Sequence, residues 1–321
     1  MKNVRKILVA IGIMVCVGVI VVLVYRYIGG QTNVWLETDM FPIEMCYLED
    51  EIYYVGKVFE NDKKMYALYK MKRDDNEIEK VNEIEISKNS IIEKIAAVHN
   101  DLYMMIRIKD SKERREIWKI NDSEEVVEIY DITQLWDLET SKFRTFCVDE
   151  NGVFYIREMN GNETILYEPI SEKIIKVPDS SENVSFESMA LGSDGNLYML
   201  FCRNLSIGGG YELVKISEGE STIIYCGELL PYSDIYSVMG TGDGEYEIFL
   251  KSTNAVYGYD QEENVAEFIC NIDLEEYQYT KSCFISENYL LILGMNPITE
   301  NEKQLNRIKF LKIELVKGDQ Q

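Results

Sequence analysis

Histidine and cysteine set the limits on the chemistry that this sequence could perform. The chain has a single histidine, His99, which excludes multi-histidine metal sites and catalytic centres built on several histidines. Its seven cysteines form no CxxC pair, so a zinc or redox motif has no support. No Gly-x-Ser-x-Gly elbow is present, and a Ser-His-Asp triad would have to use His99, which is predicted to occupy a tight turn. Carboxylates are therefore the abundant functional groups, and the chemistry they suit is binding of a divalent cation.

The charge balance of the chain excludes one large class of partner. Thirty-three Lys+Arg stand against 56 Asp+Glu, a formal net charge of -23. A surface this acidic repels phosphate backbones, so we expect no nucleic-acid binding. The composition is 46% hydrophobic and 28% charged, with only 5 prolines, which is typical of a globular protein.

An apolar segment near the N-terminus predicts a membrane anchor. Residues 7–24 contain no charge and no proline, and as a helix they would span about 27 Å, close to the thickness of a bilayer core. Basic residues precede the segment and acids follow it, which places the N-terminus in the cytoplasm. We predict a cytoplasmic tail at residues 1–6, a single-pass transmembrane signal-anchor helix at 7–28 and an extracytoplasmic domain at 29–321. A cleavable signal peptide is the alternative, although no A-x-A-like site follows the segment.

The extracytoplasmic part repeats a short pattern in which a turn of Asp, Asn, Glu or Gly leads into an apolar-aromatic strand. The first apolar residue after each turn marks six repeats, at Ile52, Leu102, Val153, Leu197, Tyr246 and Tyr289. Successive marks are 50, 51, 44, 49 and 43 residues apart. Each period holds four strand signals, and four strands every forty to fifty residues are typical of a propeller blade. The sequence therefore predicts an all-β fold, a six-bladed β-propeller; a β-sandwich is the second choice.

The two ends of the repeat region predict how the ring closes. The last repeat offers only three strand signals, whereas an extra strand, residues 33–37, stands before the first repeat. Pairing the two would complete the last sheet and remove an exposed edge. We therefore expect the N-terminal strand to close the propeller.

The turn motifs also carry a family resemblance, which is clearest in Asp194-Gly195-Asn196-Leu197-Tyr198. This motif resembles the second-strand turns of six-bladed propellers of the TolB-like and NHL-like kind, a superfamily with no single reaction. Propeller lactonases and related hydrolases hold a divalent cation at the axis through acidic and amide side chains. The resemblance therefore implies a possible axial site, for which Glu187, Asp234 and Glu276 are candidates, although the sequence does not show that they converge.

Three cysteines recur at one position of the repeat, six residues before its mark: Cys46, Cys147 and Cys283. That position falls in the innermost strand, where small side chains pack around the axis, so we interpret these residues as buried and unbridged. A disulfide between Cys202 and Cys226 within one blade remains open.

The strongest candidate for a binding site is the propeller face onto which the inter-blade connections open. Aromatic residues suited to recognition occupy these connections, and the candidates are Phe41, Trp136, Phe186, Tyr232, Tyr236, Tyr277 and Tyr279. The stretch 131–139 is the longest connection and is predicted to hold a short helical turn. The alternative is that these aromatic rings only plug the axis and pack between blades.

These patterns together favour a binding function over catalysis. We expect a membrane-anchored extracytoplasmic module that recognises a protein, peptide or glycan through its inter-blade face and that needs no cofactor. The alternative is a metal-dependent hydrolase or lactonase with carboxylates at the axis. An inert scaffold whose anchor pairs with a membrane partner is the third reading.

Overall fold

The structure is a computed structural model that describes residues 34–314 except for short stretches. The omitted stretches are 39–40, 49–50, 61–62, 73–78, 82–85, 88, 111, 136–143, 159–160, 180–183, 204–209, 228–234, 241–245, 247, 253–254, 261–262, 264, 273–278, 287–288 and 301–302.

Twenty-four antiparallel strands, numbered in chain order, form four-stranded sheets around an axis. The first strand, β1 (Val34–Thr38), stands apart from the strands that follow it in the chain. The next twenty strands build five blades, each from four consecutive strands, with the first innermost. These are β2 (Phe41–Leu48), β3 (Glu51–Glu60), β4 (Lys63–Lys72) and β5 (Glu79–Lys80); β6 (Ser90–Val98), β7 (Asp101–Lys109), β8 (Glu113–Ile120) and β9 (Val126–Asp131); β10 (Arg144–Val148), β11 (Phe154–Glu158), β12 (Glu163–Glu168) and β13 (Lys173–Pro178); β14 (Val184–Leu191), β15 (Leu197–Arg203), β16 (Tyr211–Ser217) and β17 (Glu220–Gly227); β18 (Ile235–Gly240), β19 (Ile248–Ser252), β20 (Ala255–Asp260) and β21 (Val265–Asn271).

The remaining sheet joins strands from both ends of the described chain, and we call it the closing sheet. It contains β22 (Tyr279–Ser286), β23 (Tyr289–Glu300) and β24 (Lys303–Glu314), with β1 added beside β24. Val34 pairs with Phe310 and Thr38 with Asn306. The predicted pairing of the N-terminal strand with the C-terminal strands is therefore confirmed, and it covers an edge that would otherwise be exposed.

The predicted architecture is corrected in two respects. The sequence predicted six blades, whereas the structure has five blades of consecutive strands, because the last repeat supplies only three strands to the composite closing sheet. The predicted transmembrane helix at residues 7–28 lies outside the described residues. Among the residues that the structure does describe, no helix is long and apolar enough to cross a membrane; the one helical element there is a 3-10 turn at Thr133–Leu135. That turn lies within the predicted helical stretch 131–139.

The core lies between neighbouring blades because successive side chains of a strand point to opposite faces of its sheet. The second strand of each blade is covered on both faces, and in β7 Met104, Met105 and Ile106 are fully buried. Phe154 shows how aromatic rings fill the space between blades two and three, since it packs edge-on against Tyr103 and Tyr130. Burial of such rings stabilises the fold because it removes a large apolar area from water.

The turns between first and second strands confirm the repeat that the sequence displays. Gly152 and Gly195 adopt positive φ, 77° and 74°, and each donates its N–H three residues back, to Asp149 and Gly192. Only the glycine of each turn has positive φ, which indicates a type I turn followed by a left-handed glycine. His99 occupies the equivalent exposed turn with φ 53°, as predicted.

The cysteines follow the predicted positions in the innermost strands. Cys46 lies in β2, Cys147 in β10 and Cys283 in β22, and Cys147 is a free thiol whose pKa burial raises to about 11. The bridge left open between Cys202 and Cys226 does not fit the sheet. These residues lie in β15 and β17, on opposite sides of β16, about 10 Å apart by strand spacing, whereas a disulfide needs Cα atoms within about 7 Å.

Candidate recognition face

The two ends of the sheets differ in the connections that they carry. We call the end with the first-to-second strand turns the turn face, and the opposite end, where each chain segment enters an innermost strand, the loop face. Phe41 and Tyr279 are the first residues of β2 and β22, and Tyr236 is the second residue of β18. The backbone thus brings these three candidates to the loop face. Trp136, Tyr232 and Tyr277 lie outside the described residues, so their place in a recognition surface stays a prediction.

Phe186 is the one predicted aromatic candidate whose side chain the structure describes, and it is part of the core. It lies near the loop-face end of β14, is 7% exposed, and packs edge-on against Phe201. The guanidinium carbon of Arg157 lies 4.4 Å from the centre of its ring. For Phe186 the structure therefore favours packing between blades, the alternative that the sequence left open.

A buried ion pair beneath the loop face organises blade three. Nε of Arg157 donates to Asp179 at 2.8 Å, and its two Nη groups donate to the carbonyls of Glu158 and Gly161. Both charged side chains are almost inaccessible to solvent, and Thr164 donates its hydroxyl to the same carboxylate. The pair is satisfied on every side, which a buried charge requires if it is not to destabilise the fold.

Blade two carries a second buried cluster at the same face. Glu93 accepts a hydrogen bond from Nε of Arg115 at 3.2 Å and lies 3.6 Å from an Nη of Arg107. Glu113 bridges the same two arginines from the other side. Burial raises the pKa of the Glu93 carboxyl above its usual range even though both arginines oppose the shift. The cluster holds two hairpins of the blade together where they meet the inter-blade connections.

Arginine is restricted to this end of the molecule within the described residues. Arg144 pairs with Glu158 at 2.7 Å and Arg203 with Glu212 at 2.8 Å, each joining two strands of one blade. Every arginine of the described part lies in the loop-face half of its strand: Arg107, Arg114, Arg115, Arg144, Arg157, Arg203 and Arg307. Sequence reasoning missed this belt; its one visible signal was arginine at the predicted strand ends that border the connections.

The propeller axis carries a lysine–glutamate pair. Nζ of Lys94 in β6 donates to Glu44 in β2 at 2.8 Å. Burial works against the charge of Lys94, but Glu44 outweighs it and keeps the pKa of the ammonium above its ordinary value. No group of three or more potential metal ligands occurs among the described residues. Of the predicted axial carboxylates, Glu187 lies in β14, whereas Asp234 and Glu276 lie outside the described residues, so their convergence stays untested.

The turn face is closed by a side-chain arrangement that recurs from blade to blade. In blade four Asp194 accepts hydrogen bonds from the Tyr198 hydroxyl and from Nζ of Lys215, both at 2.8 Å. Burial opposes ionisation of Asp194, yet these donors and Asn196 lower the pKa of the carboxyl to about 2. We call this arrangement the acid–tyrosine–lysine clasp.

The clasp has the same register in two further blades. Tyr53 faces Lys70 across β3 and β4, and Tyr103 faces Lys119 across β7 and β8, as Tyr198 faces Lys215. The acids of these clasps are the first residues of β3 and β7: Glu51 accepts from the Tyr53 hydroxyl at 2.9 Å and Asp101 pairs with Lys119 at 3.0 Å. In blade one the ammonium of Lys70 donates to Glu124 of blade two and lies 4.0 Å from Glu51. The tyrosine–lysine register therefore repeats, while the acid that the lysine contacts differs.

Comparison with known proteins identifies the fold. No protein-family model matches the chain, and no curated protein matches it. Among solved structures, a protein of unknown function from Dyadobacter fermentans is 9% identical with a TM-score of 0.55, over 89% of this chain and 100% of that chain. A putative gluconolactonase is 11% identical with a TM-score of 0.52, over 89% and 94%. The structure described as YCF48 bound to D1 peptide is 10% identical with a TM-score of 0.51, over 91% and 97%.

These neighbours are β-propellers, as is this protein. At such low identity the likeness shows the fold alone, and the differing functions of the neighbours show that this fold does not determine a reaction. The predicted resemblance to β-propellers is thus confirmed at the level of the superfold.

Proposed function

We propose that the protein is a recognition module whose loop face binds a protein or peptide partner. The observation that carries this proposal is the difference between the two faces: the turn face repeats one tyrosine–lysine pairing with an acid nearby, whereas the loop face has a different arginine–carboxylate arrangement in each of blades two, three and four. Rigid strands that end in irregular connections are the usual platform for binding residues. The propeller in the structure described as YCF48 bound to D1 peptide is a precedent for peptide recognition on this fold. A glycan is the further ligand class that aromatic connections would suit.

The location of the module is a separate element of the proposal and rests on the sequence. Residues 7–24 would hold the chain in the cell membrane with the propeller outside the cytoplasm. The nine residues 25–33 then connect this segment to β1, which limits the separation to about 30 Å. The tether would therefore be attached to the closing sheet.

Partner capture from membranes tests the proposal. Trp136→Ala and Tyr232→Ala are expected to reduce capture of the partner at least tenfold because aromatic anchors dominate interfaces, while the melting temperature stays within a few degrees. Ile170→Ala is the matched control, since Ile170 is 98% exposed near the turn face. If both aromatic variants capture the partner as well as this control does, these aromatic side chains are not the anchors and the proposed loop-face surface is wrong.

A further inference from the structure

Among the innermost-strand side chains that the structure describes, one charged group has no counter-ion. Five charged side chains of these strands are described, and four of them form ion pairs: Glu44 with Lys94, Glu93 with Arg115, and Arg144 with Glu158. The fifth is Glu187 in β14. Within the described part of the chain, no lysine or arginine lies within ion-pair distance of it.

The surroundings of Glu187 disfavour its negative charge. Its carboxylate accepts a hydrogen bond from the Ser185 hydroxyl at 3.3 Å, and partial burial raises the pKa of the carboxyl above its usual range. A half-buried carboxylate loses part of its hydration, and one weak neutral hydrogen bond does not compensate for that loss as a nearby cation would. A cationic group brought to this position would recover that free energy.

The backbone places Glu187 where a partner could reach it. The β14–β15 ladder shifts register between Phe186 and Ser188, so Glu187 is the extra residue of a bulge. Comparable bulges occur in β2, β6 and β18, so the bulge belongs to the repeat and re-aims one side chain of each of these strands. In β6 that side chain is Glu93, which is paired with Arg115, whereas no arginine of the described part pairs with Glu187. This bulge lies near the start of β14, where the chain enters from the loop face, and Glu187 itself is only half-buried.

The arginines of the loop face whose side chains are described are already paired with carboxylates, while exposed lysines of this face, Lys109 and Lys112, lie in blade two. Each of the six arginines with described side chains is engaged by a carboxylate of its own blade: Arg107, Arg114, Arg115, Arg144, Arg157 and Arg203. The net charge of -23 adds a long-range field that attracts cations and repels anions. The pairing of the arginines and the negative net charge therefore both favour a positively charged partner.

We propose that Glu187 binds a lysine or arginine side chain of the protein or peptide partner, and so determines the charge specificity of the loop face. This inference rests on the proposed recognition function and adds the chemistry of the partner to it. The cation would replace the missing counter-ion at the bulge, and the Ser185 hydroxyl would keep the carboxylate in place.

Binding of two short labelled peptides, one of alternating lysine and glycine and one of alternating glutamate and glycine, tests the charge preference. The lysine peptide is expected to bind and the glutamate peptide is not. Glu187→Gln keeps the size of the side chain and its contact with Ser185, and it is expected to weaken binding of the lysine peptide about tenfold, since a partly desolvated pair contributes more than a surface pair. Glu150→Gln removes the same charge from an exposed turn-face position and is expected to weaken binding less than twofold.

Carboxyl NMR of Glu187 gives a second readout that a general charge effect would not produce. Addition of the lysine peptide should lower the pKa of this carboxyl. Equal losses of affinity in the two variants, or an unchanged pKa of Glu187, would overturn the proposal. If Glu187→Gln weakens binding of the lysine peptide while Trp136→Ala leaves partner capture intact, the cation site is supported and the aromatic surface is wrong. If Trp136→Ala abolishes capture while Glu187→Gln has no effect, the aromatic surface is supported and the cation site is wrong.

Discussion

The turn face and the loop face are built from the same strands but satisfy their charges in different ways. At the turn face a tyrosine and a lysine recur at paired positions in blades one, two and four, each with an acid two or four residues before the tyrosine. At the loop face, arginine–carboxylate pairs differ from blade to blade, as Arg157–Asp179 differs from Arg203–Glu212. Contacts that recur in several blades serve the folding of the repeat. Contacts that differ between blades, as at the loop face, are the ones that can provide a specific binding surface.

The largest expected effect concerns the buried pair of the loop face. Arg157→Met would leave Asp179 charged and buried without its partner, which typically costs about 3–5 kcal/mol. Urea unfolding of the variant measures this loss. Lys173→Met at the exposed pair with Glu168 is the control, and it is expected to leave the unfolding midpoint unchanged because surface ion pairs contribute little. Equal losses in the two variants would show that the loop-face pairs are no more than surface salt bridges.

A smaller effect is expected from acid at the turn face. The folded-state pKa of Asp194 is lowered from 3.8 to about 2, so its ionised form stabilises the fold above pH 4 and this stabilisation is lost as the pH falls through 2. Asp194→Asn is expected to lower stability at neutral pH by about 1 kcal/mol, allowing for solvent screening. The variant should also flatten the decline of stability between about pH 4 and pH 2. A decline with the same slope as in the unaltered protein would mean that the clasp does not depend on the charge of Asp194.

Much of the fold could be predicted because its signals are local. The missing strand of the last repeat and the extra strand at residues 33–37 predicted the pairing of β1 with β24, and Gly152 and Gly195 marked their turns. The composite nature of the closing sheet also explains why counting turn motifs gave one blade more than the structure forms from consecutive strands.

The candidate site was less predictable because it depends on register. Arg157 and Asp179 meet only when β11, β12 and β13 are aligned, 22 residues apart in the chain. Phe186 was predicted to face a partner, but the pairing of β14 with β15 places it against Phe201, a contact that no local residue pattern shows. Glu187 stood among the axial candidates, yet its lack of a counter-ion is visible only once its neighbours are placed.

Site-specific photo-crosslinking in native membranes tests the functional difference between the faces most directly. A photoreactive residue is placed at Lys112, exposed in the β7–β8 hairpin of the loop face, or at Ile170, exposed in the β12–β13 hairpin of the turn face. The account predicts a discrete crosslinked partner from position 112 and none from position 170. A partner crosslinked from position 170 alone would contradict the assignment of the loop face as the recognition surface.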